Sequence, residues 1–339
     1  MRSSRSSETG RLEAQRRRQS LQTDKAPPGG ALSFSSSRLI AHRVLPAATL
    51  VLSQPYKACR VPASHRILMC PPDHFRVDYV INPWMAGHAG GLDLELAREQ
   101  WEGLRALIAQ FAEVVTLEAR PNLPDMVFTA NAGVVYGDIA VPSHFMPMER
   151  RPEESHYREW FRAEGFDVRR LPDSIGFEGA GDCLLDRGGA WLWTGYGFRT
   201  EIEAHPYLAE WFPDRELVSV RLTDARFYHI DTCMCPLTGG YLLYHPPAFD
   251  YDSRVAIERR VPPERRIVVD TLDAGSFACN AVNIDEHVIL NRASPALQQA
   301  LGDAGFVVHE VALSEFLKAG GSAKCLTLKL TEPREATLL

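Results

Sequence analysis

Asp182-Cys-Leu-Leu-Asp186-Arg-Gly-Gly189-Ala-Trp-Leu-Trp-Thr-Gly195-Tyr-Gly-Phe198 decides the fold. Apolar, strand-type residues stand on both sides of the Asp186-Arg-Gly-Gly189 turn, the pattern of two strands joined in a hairpin. The same unit recurs at Val127–Phe145, Thr232–Phe249 and Asn280–Ala293, around Tyr136-Gly-Asp138, Thr238-Gly-Gly240 and Asp285-Glu286. The four starts are 55, 50 and 48 residues apart, and a period near fifty is a repeat signal. The two ends, Ile67–Cys70 and Ala323–Leu330, could supply a fifth unit. Helical patterns fill the gaps. Leu92–Phe111 carries an apolar stripe of period 3.6, with shorter candidates at Glu153–Glu164, Glu201–Trp211, Ser294–Ala304 and Leu313–Lys318. Gly305 suits the end of the fourth of these, after Ala304. Hairpins alternating with helices predict an α/β fold of mixed-sheet blades around a centre, with helices outside.

Composition narrows the class. With 45% hydrophobic and 24% charged residues in 339, collagen-like, low-complexity and mainly disordered chains are excluded. No apolar run approaches the roughly 18 residues of a membrane span; the best, Val44–Leu52, contains Pro46. Charge divides the chain. Residues 1–66 carry 12 Lys+Arg against 3 Asp+Glu, which leaves a balance of -15 for the rest given the net -6. An acidic body argues against a nucleic-acid footprint and is compatible with a small cationic substrate.

Residues 1–65 are rich in Ser and Arg and show no sustained period, so they are expected to form a disordered basic extension. An organelle transit peptide and a plain basic tail are alternatives to an upstream start that adds residues the working protein lacks; we favour the last. Residues 66–333 form the folded domain and 334–339 a tail. The seven cysteines are odd in number and contain no Cys-x-x-Cys pair. Cys233-x-Cys235 alone is a weak zinc signal. Reduced thiols in a cytosol-like compartment are expected.

Gly320-Gly321-Ser-Ala-Lys324 lacks the spacing of a phosphate loop, and no His-Glu-x-x-His occurs. Four segments put polar residues where a buried strand end prefers apolar ones. They are Pro124-Asp125-Met-Val-Phe-Thr-Ala-Asn131, Phe177-Glu178-Gly-Ala-Gly181-Asp182, Phe227-Tyr228-His229-Ile-Asp231 and Gly320-Gly321-Ser-Ala-Lys-Cys325-Leu-Thr-Leu. Each has a bland reading. Cys325 could be a buried small hydrophobe in an alternating strand, His229 and Asp231 a satisfied core pair, and Glu178 the cap of a turn. Cys70, Cys183 and Cys279 read as core thiols. Taken together, at equivalent points of a repeat, the four segments offer the thiol and distant imidazole that covalent thiol catalysis uses.

Phe-Glu-Gly-x-Gly-Asp, His-x-Asp and the C-terminal Gly-Gly…Cys-Leu-Thr, in that order, resemble the guanidino-group-modifying enzymes, the pentein or amidinotransferase superfamily. Arginine deiminase, dimethylarginine dimethylaminohydrolase and the arginine dihydrolases belong to it. The resemblance runs from Arg66 to about Pro333, and "LMCPPDHFRVDYVINPWM" and "PDMVFTANAG" look closest to the dihydrolase branch. It implies a five-bladed α/β propeller (the pentein fold) of pseudo-symmetric ββαβ modules. It implies Cys325 as nucleophile, His229 as general acid/base and Glu178 as the carboxylate that holds the guanidinium and orients His229. Asp125 and Asp231 would bind the guanidinium side. Arg150 and Arg199 would grip the α-carboxylate, with Arg151 a rival for Arg150. Asn82 would contact the α-amino acid end or the ureido end.

One departure matters. Deiminases and dimethylarginine hydrolases carry Asp where this chain reads Phe-Thr-Ala-Asn131. An amide both donates and accepts, so Asn131 could tolerate a neutral ureido group and let citrulline be attacked in turn. The expected activity is therefore a cofactor-free, metal-free C–N hydrolase, an arginine dihydrolase giving ornithine, ammonia and CO2. The alternatives are dimethylarginine dimethylaminohydrolase, arginine deiminase and, from another class, a non-catalytic pentein binding protein. The expected partner is a small-molecule substrate, not nucleic acid or membrane, in the cytoplasm, with a homo-oligomer left open.

Overall fold

The computed structural model describes residues 65–189 and 191–331. The expected N-terminal extension, apart from His65, and the boundary at 333 with its tail lie outside these residues.

The described residues form fifteen short strands in five three-stranded sheets. The chain begins with β1 (Arg66–Met69), α1 (Leu94–Ile108) and β2 (Glu113–Thr116). It continues through β3 (Gly133–Tyr136), β4 (Ile139–Pro142), α2 (Glu153–Ala163) and β5 (Asp167–Val168). The third unit is β6 (Cys183–Leu185), β7 (Trp191–Tyr196), α3 (His205–Trp211) and β8 (Glu216–Arg221). The fourth is β9 (Met234–Leu237), β10 (Tyr241–Tyr244), α4 (Tyr251–Arg260) and β11 (Arg266–Val268). Then come the short α5 (Thr271–Gly275), β12 (Val282–Ile284), β13 (His287–Leu290), α6 (Pro295–Asp303) and β14 (Val307–Glu310). The single turn α7 (Ser314–Leu317) leads to β15 (Leu328–Thr331).

One plan repeats. An antiparallel hairpin is followed by a helix, and the helix returns the chain to a third strand parallel to the second, as a parallel pairing requires. The first sheet is joined from the two ends: β15 pairs antiparallel with β1, which pairs parallel with β2. The central strands are buried apolar runs, Ile67–Met69 and Val288–Leu290 among them, as strands covered on both faces must be. The third strand β8 instead alternates buried and exposed residues along its second half. Side-chain caps start four of the described helices: Asp93 accepts from Leu96 N–H, Asp250 from Ser253 N–H, Asp270 from Leu272 and Asp273 N–H, and Ser294 from Leu297 N–H. α6 ends as expected, with Gly305 at φ 93° and Phe306 N–H bonded back to Leu301 O.

The sequence places the first strand of one unit at Val127 and puts Cys325 in a strand; both are corrected. Pro124–Val127 and Thr129–Ala132 are 3-10 turns, and Cys325 lies in a turn just before β15. Gly179–Gly181 and Ile230–Thr232 are likewise 3-10 turns directly before β6 and β9. Their N–H groups bond within the turn, Phe128 to Asp125 and Cys233 to Ile230. Successive side chains then fan around the turn rather than alternate across a sheet. Helix α4 gave no sequence signal because only Ser253 and Ile257 of its ten residues are buried, too few for an apolar stripe. Among the described residues no helix is long and apolar enough to cross a membrane.

Candidate active site

Each polar segment ends just before a strand, so four turns deliver side chains towards one region. Asn131 precedes β3, Glu178 and Asp182 precede β6, His229 and Asp231 precede β9, and Cys325 precedes β15. The glycines of the second segment make the approach close. Gly179 has φ 62°, and a Cβ on it would sit 2.7 Å from Gly133 O. A Cβ on Gly181 would meet Asn131 Nδ2 at 2.6 Å and the His229 ring at 3.1 Å. Gly-x-Gly is therefore the space in which the amide and the imidazole meet.

A cleft opens onto Cys325, lined by Asn82, Asp125, Asn131, Arg150, Arg199 and Tyr228. His229 is buried behind it, and its Nε2 lies 2.8 Å from Glu178 Oε2. A carboxylate only accepts, so Nε2 carries the hydrogen. Nδ1 is buried with no hydrogen-bond partner among the described residues. Glu178 Oε2 also accepts from Arg199 Nη1 at 2.9 Å, and Oε1 from Met146 N–H at 3.2 Å. Burial alone would raise Glu178. The Arg199 charge and the His229 hydrogen bond outweigh it and hold the carboxyl down to about 2.

Asp125 Oδ2 accepts from Tyr79 Oη at 2.8 Å, while Oδ1 is buried without a partner among the described residues. Burial pushes this carboxyl up against the pull of the Arg150 charge. Asp231 is fully buried 3.6 Å from Cys325 Sγ, and its nearest cation is Lys324 at 3.9 Å. Burial raises it too, with the Lys324 charge opposing. Cys325 is held above the ordinary thiol range, first by burial and then by the Asp231 charge. A positive charge arriving beside Asp125 and Asp231 would relieve all three groups.

Arg150 and Arg199 both reach the cleft; Arg151 does not line it, and its Nε donates to Phe145 O. Arg150 is largely engaged by the protein. It makes a two-point pair with Glu153 at 3.1 and 2.8 Å, and donates to Asn131 Oδ1 at 2.8 Å and Asp125 O at 3.0 Å. Among the described residues Arg199 donates only to Glu178 and to Ile81 O at 2.6 Å, and it stacks on the Tyr228 ring at 4.8 Å. It therefore keeps more donors for a ligand carboxylate. Asn131 is held at both ends, Oδ1 by Arg150 and Nδ2 donating to Glu178 O at 3.1 Å. Asn82 caps the 3-10 turn Pro83–Met85 and donates to Ala319 O at 3.0 Å.

Sequence reasoning missed two residues. Glu153, on α2, backs Arg150 and is fully buried. Asn280, before β12, donates to Cys325 Sγ at 3.1 Å. Its signal was its place: Asn280 opens the fourth repeat, at the point where Asn131 stands in the first. Cys70, Cys183 and Cys279 are core thiols as read.

Comparison with known proteins follows the same line. Residues 91–332 match the family model for N,N dimethylarginine dimethylhydrolase, eukaryotic. The chain is 57% identical to the bifunctional arginine dihydrolase/ornithine cyclodeaminase ArgZ of Synechocystis sp., over 79% of this chain and 38% of that protein. It thus spans under two-fifths of that relative's length. It is 39% identical to the N(G),N(G)-dimethylarginine dimethylaminohydrolase of Mycobacterium tuberculosis, over 80% of this chain and 88% of the relative. Two crystal structures of the N-terminal domain of ArgZ each match with TM-score 0.79 and 56% identity, over 80% of this chain and 99% of theirs. One is bound to substrate and the other is covalently bound to a reaction intermediate. From turn-borne thiol, imidazole and carboxylates to the matched sequence, the chain belongs to the dimethylarginine dimethylhydrolase family.

Proposed function

We propose that this chain hydrolyses the guanidinium of free L-arginine through a covalent thiouronium on Cys325, as an arginine dihydrolase yielding ornithine, ammonia and CO2. The observation that carries the reading is a thiol and an unpartnered buried carboxylate oxygen, Asp125 Oδ1, at one cleft. Such a site favours a planar cation whose N–H groups meet the carboxylates while its carbon meets the sulfur.

The geometry supports the following roles. Asp125, Asp231 and Glu178 fix the guanidinium, and Arg199, with the remaining donor of Arg150, takes the α-carboxylate. Asn82 stands at the same end of the cleft. The S–H proton of Cys325 passes to His229 Nδ1, and the thiolate attacks the guanidinium carbon. His229 Nδ1 gives its proton to the departing amine as the C–N bond breaks, then takes one from water. Water adds to the thiouronium carbon, the C–S bond breaks and citrulline is formed. Asn131 favours a second cycle on the neutral ureido group, because its amide presents no net charge. The likeness to ArgZ supports the dihydrolase form. The likeness to the mycobacterial enzyme favours dimethylarginine as the second reading. We further infer that the five modules close into a propeller, which the contacts of β15 with β3, β6 with β9 and β9 with β12 support. The six free, buried thiols among the described residues suit a reducing, cytoplasmic setting.

The test is a product assay with L-arginine alone. Ornithine with two ammonia per arginine is expected. Accumulating citrulline would make the protein a deiminase. Silence on arginine with turnover of dimethylarginine would move the activity to the second reading.

A further inference from the structure

Asn280 is fully buried, and all four of its amide hydrogen-bonding positions are used inside the site. Nδ2 donates to Asp231 O at 2.9 Å and to Cys325 Sγ at 3.1 Å. Oδ1 accepts from Ser322 N–H and Cys325 N–H, both at 3.1 Å. Its own carbonyl accepts from Lys324 N–H at 3.2 Å. These partners fix which way the amide faces: turned over, Oδ1 would oppose the Asp231 carbonyl and the NH2 group would oppose two N–H donors. The backbone is set as well. Phe277, at φ 61°, turns the chain out of α5, and Asn280 N–H bonds to Phe277 O at 3.0 Å.

The sulfur needs such a donor. It stands beside the buried Asp231 carboxylate, which favours the neutral thiol. Among its side-chain neighbours within hydrogen-bonding reach, Asn280 gives it a hydrogen where Asp231 accepts one. A neutral thiol accepts weakly and a thiolate strongly, so the same N–H is worth more once the sulfur is charged.

We propose that Asn280 is a catalytic residue of the reaction put forward above: its Nδ2–H holds Cys325 Sγ as the attacking thiolate and receives it again as the leaving group. In the first half-reaction the thiol proton passes to His229 and the sulfur lone pair forms the S–C bond; the C–N bond then breaks and the amine leaves with that proton. In the second, water forms the C–O bond and loses a proton to His229. The C–S pair then returns to sulfur, which Asn280 Nδ2 is placed to meet. The two N–H bonds to Oδ1 keep the nucleophile's backbone in register throughout.

The experiment follows the thiolate directly. Wild type, Asn280→Ala and Asn280→Asp are alkylated with iodoacetamide across pH. Trypsin cuts after Lys324 and Lys329, so the peptide between them reports Cys325 alone. The midpoint of Cys325 labelling should rise by about one pH unit in Asn280→Ala and further in Asn280→Asp. At neutral pH the kcat/KM on arginine should fall by about ten-fold or more, with KM nearly unchanged and the loss shrinking as pH rises. A folded variant, by its thermal transition, with an unmoved labelling midpoint and wild-type kcat overturns the role. If Asn280→Ala does not fold, Asn280→Asp, which is isosteric, decides. The role rests on the hydrolase reading, and the two fail separately. A wild type silent on arginine and dimethylarginine overturns the reading and the role with it; an active wild type whose variants keep their midpoint overturns the role alone.

Discussion

Cys325 carries a thiol that burial and Asp231 both push towards neutrality, so its reactivity has to be supplied by what it meets. Cys325→Ser replaces the nucleophile proposed above by a hydroxyl, a far weaker acid than a thiol. Turnover should vanish with the thermal transition unchanged; arginine hydrolysis at the wild-type rate would end the covalent mechanism. Asn131→Asp tests the choice of product. Its second oxygen would face Glu178 O, to which Asn131 Nδ2 now donates, while the first would keep Arg150. A charge at that point should disfavour the neutral ureido group, so ornithine should fall relative to citrulline. An unchanged product ratio removes the reason for preferring the dihydrolase. Both residues were legible in the sequence, because each breaks an apolar pattern at an equivalent point of a repeat. Asn280 and Glu153 were not. A single amide before a strand looks like turn punctuation, and the value of Glu153 appears only when Arg150 is seen lying against it.

At the scale of the element, the turn before β6 fixes the distance between His229 and Asn131. Gly181→Ala adds a Cβ against both, and the His229 ring has no slack at 3.1 Å. We expect kcat to fall by at least about ten-fold with stability lowered by only about 1–3 kcal/mol, the usual cost of an overpacked site; measuring wild-type kcat would show that the imidazole can move aside freely. The next residue gives the turn a pH dependence. Asp182 accepts from Ile230 N–H at 3.0 Å, and burial pushes its carboxyl up to about 6 against the pull of His229. A folded-state value above the unfolded one means the folded protein binds the extra proton, so this group costs stability as pH rises from about 4 to about 6. Asp182→Asn removes that cost. Its melting temperature relative to wild type should climb across the window and level off above it; a difference that is flat with pH would contradict the assignment. Turns of this kind were misread as strand ends because apolar residues flank them. The hairpin turns are legible because Gly and Asp there leave little else to form.

For the whole molecule, the repeat and its fifth member from the chain ends were legible, since period and turn chemistry are local signals. The third strand of each module was not. β5 and β11 run only two and three residues, too short to show an alternation, and their pairing is a non-local fact. Joining the ends has a measurable consequence. A chain stopped after Thr327 keeps Cys325 and every other group of the site but loses β15, and with it the antiparallel partner of β1. The two buried leucines of β15, Leu328 and Leu330, would be lost from a core cluster that also holds Leu68 and Phe145. Cooperative unfolding in denaturant should weaken or disappear; a full-strength transition would show that the first sheet stands without its outer strand.

The same pairing orders events in time. Arg66 is among the first described residues to be made and Thr331, its partner, the last. A nascent chain can build four modules as it emerges, but the sheet that follows the Cys325 turn waits for the whole sequence between them. Contacts of such separation are closed late and slowly. On the proposed reading a partly synthesised chain has no assembled site, and the thiol meets Asp231 and Asn280 only when the rest of the molecule is in place to receive it.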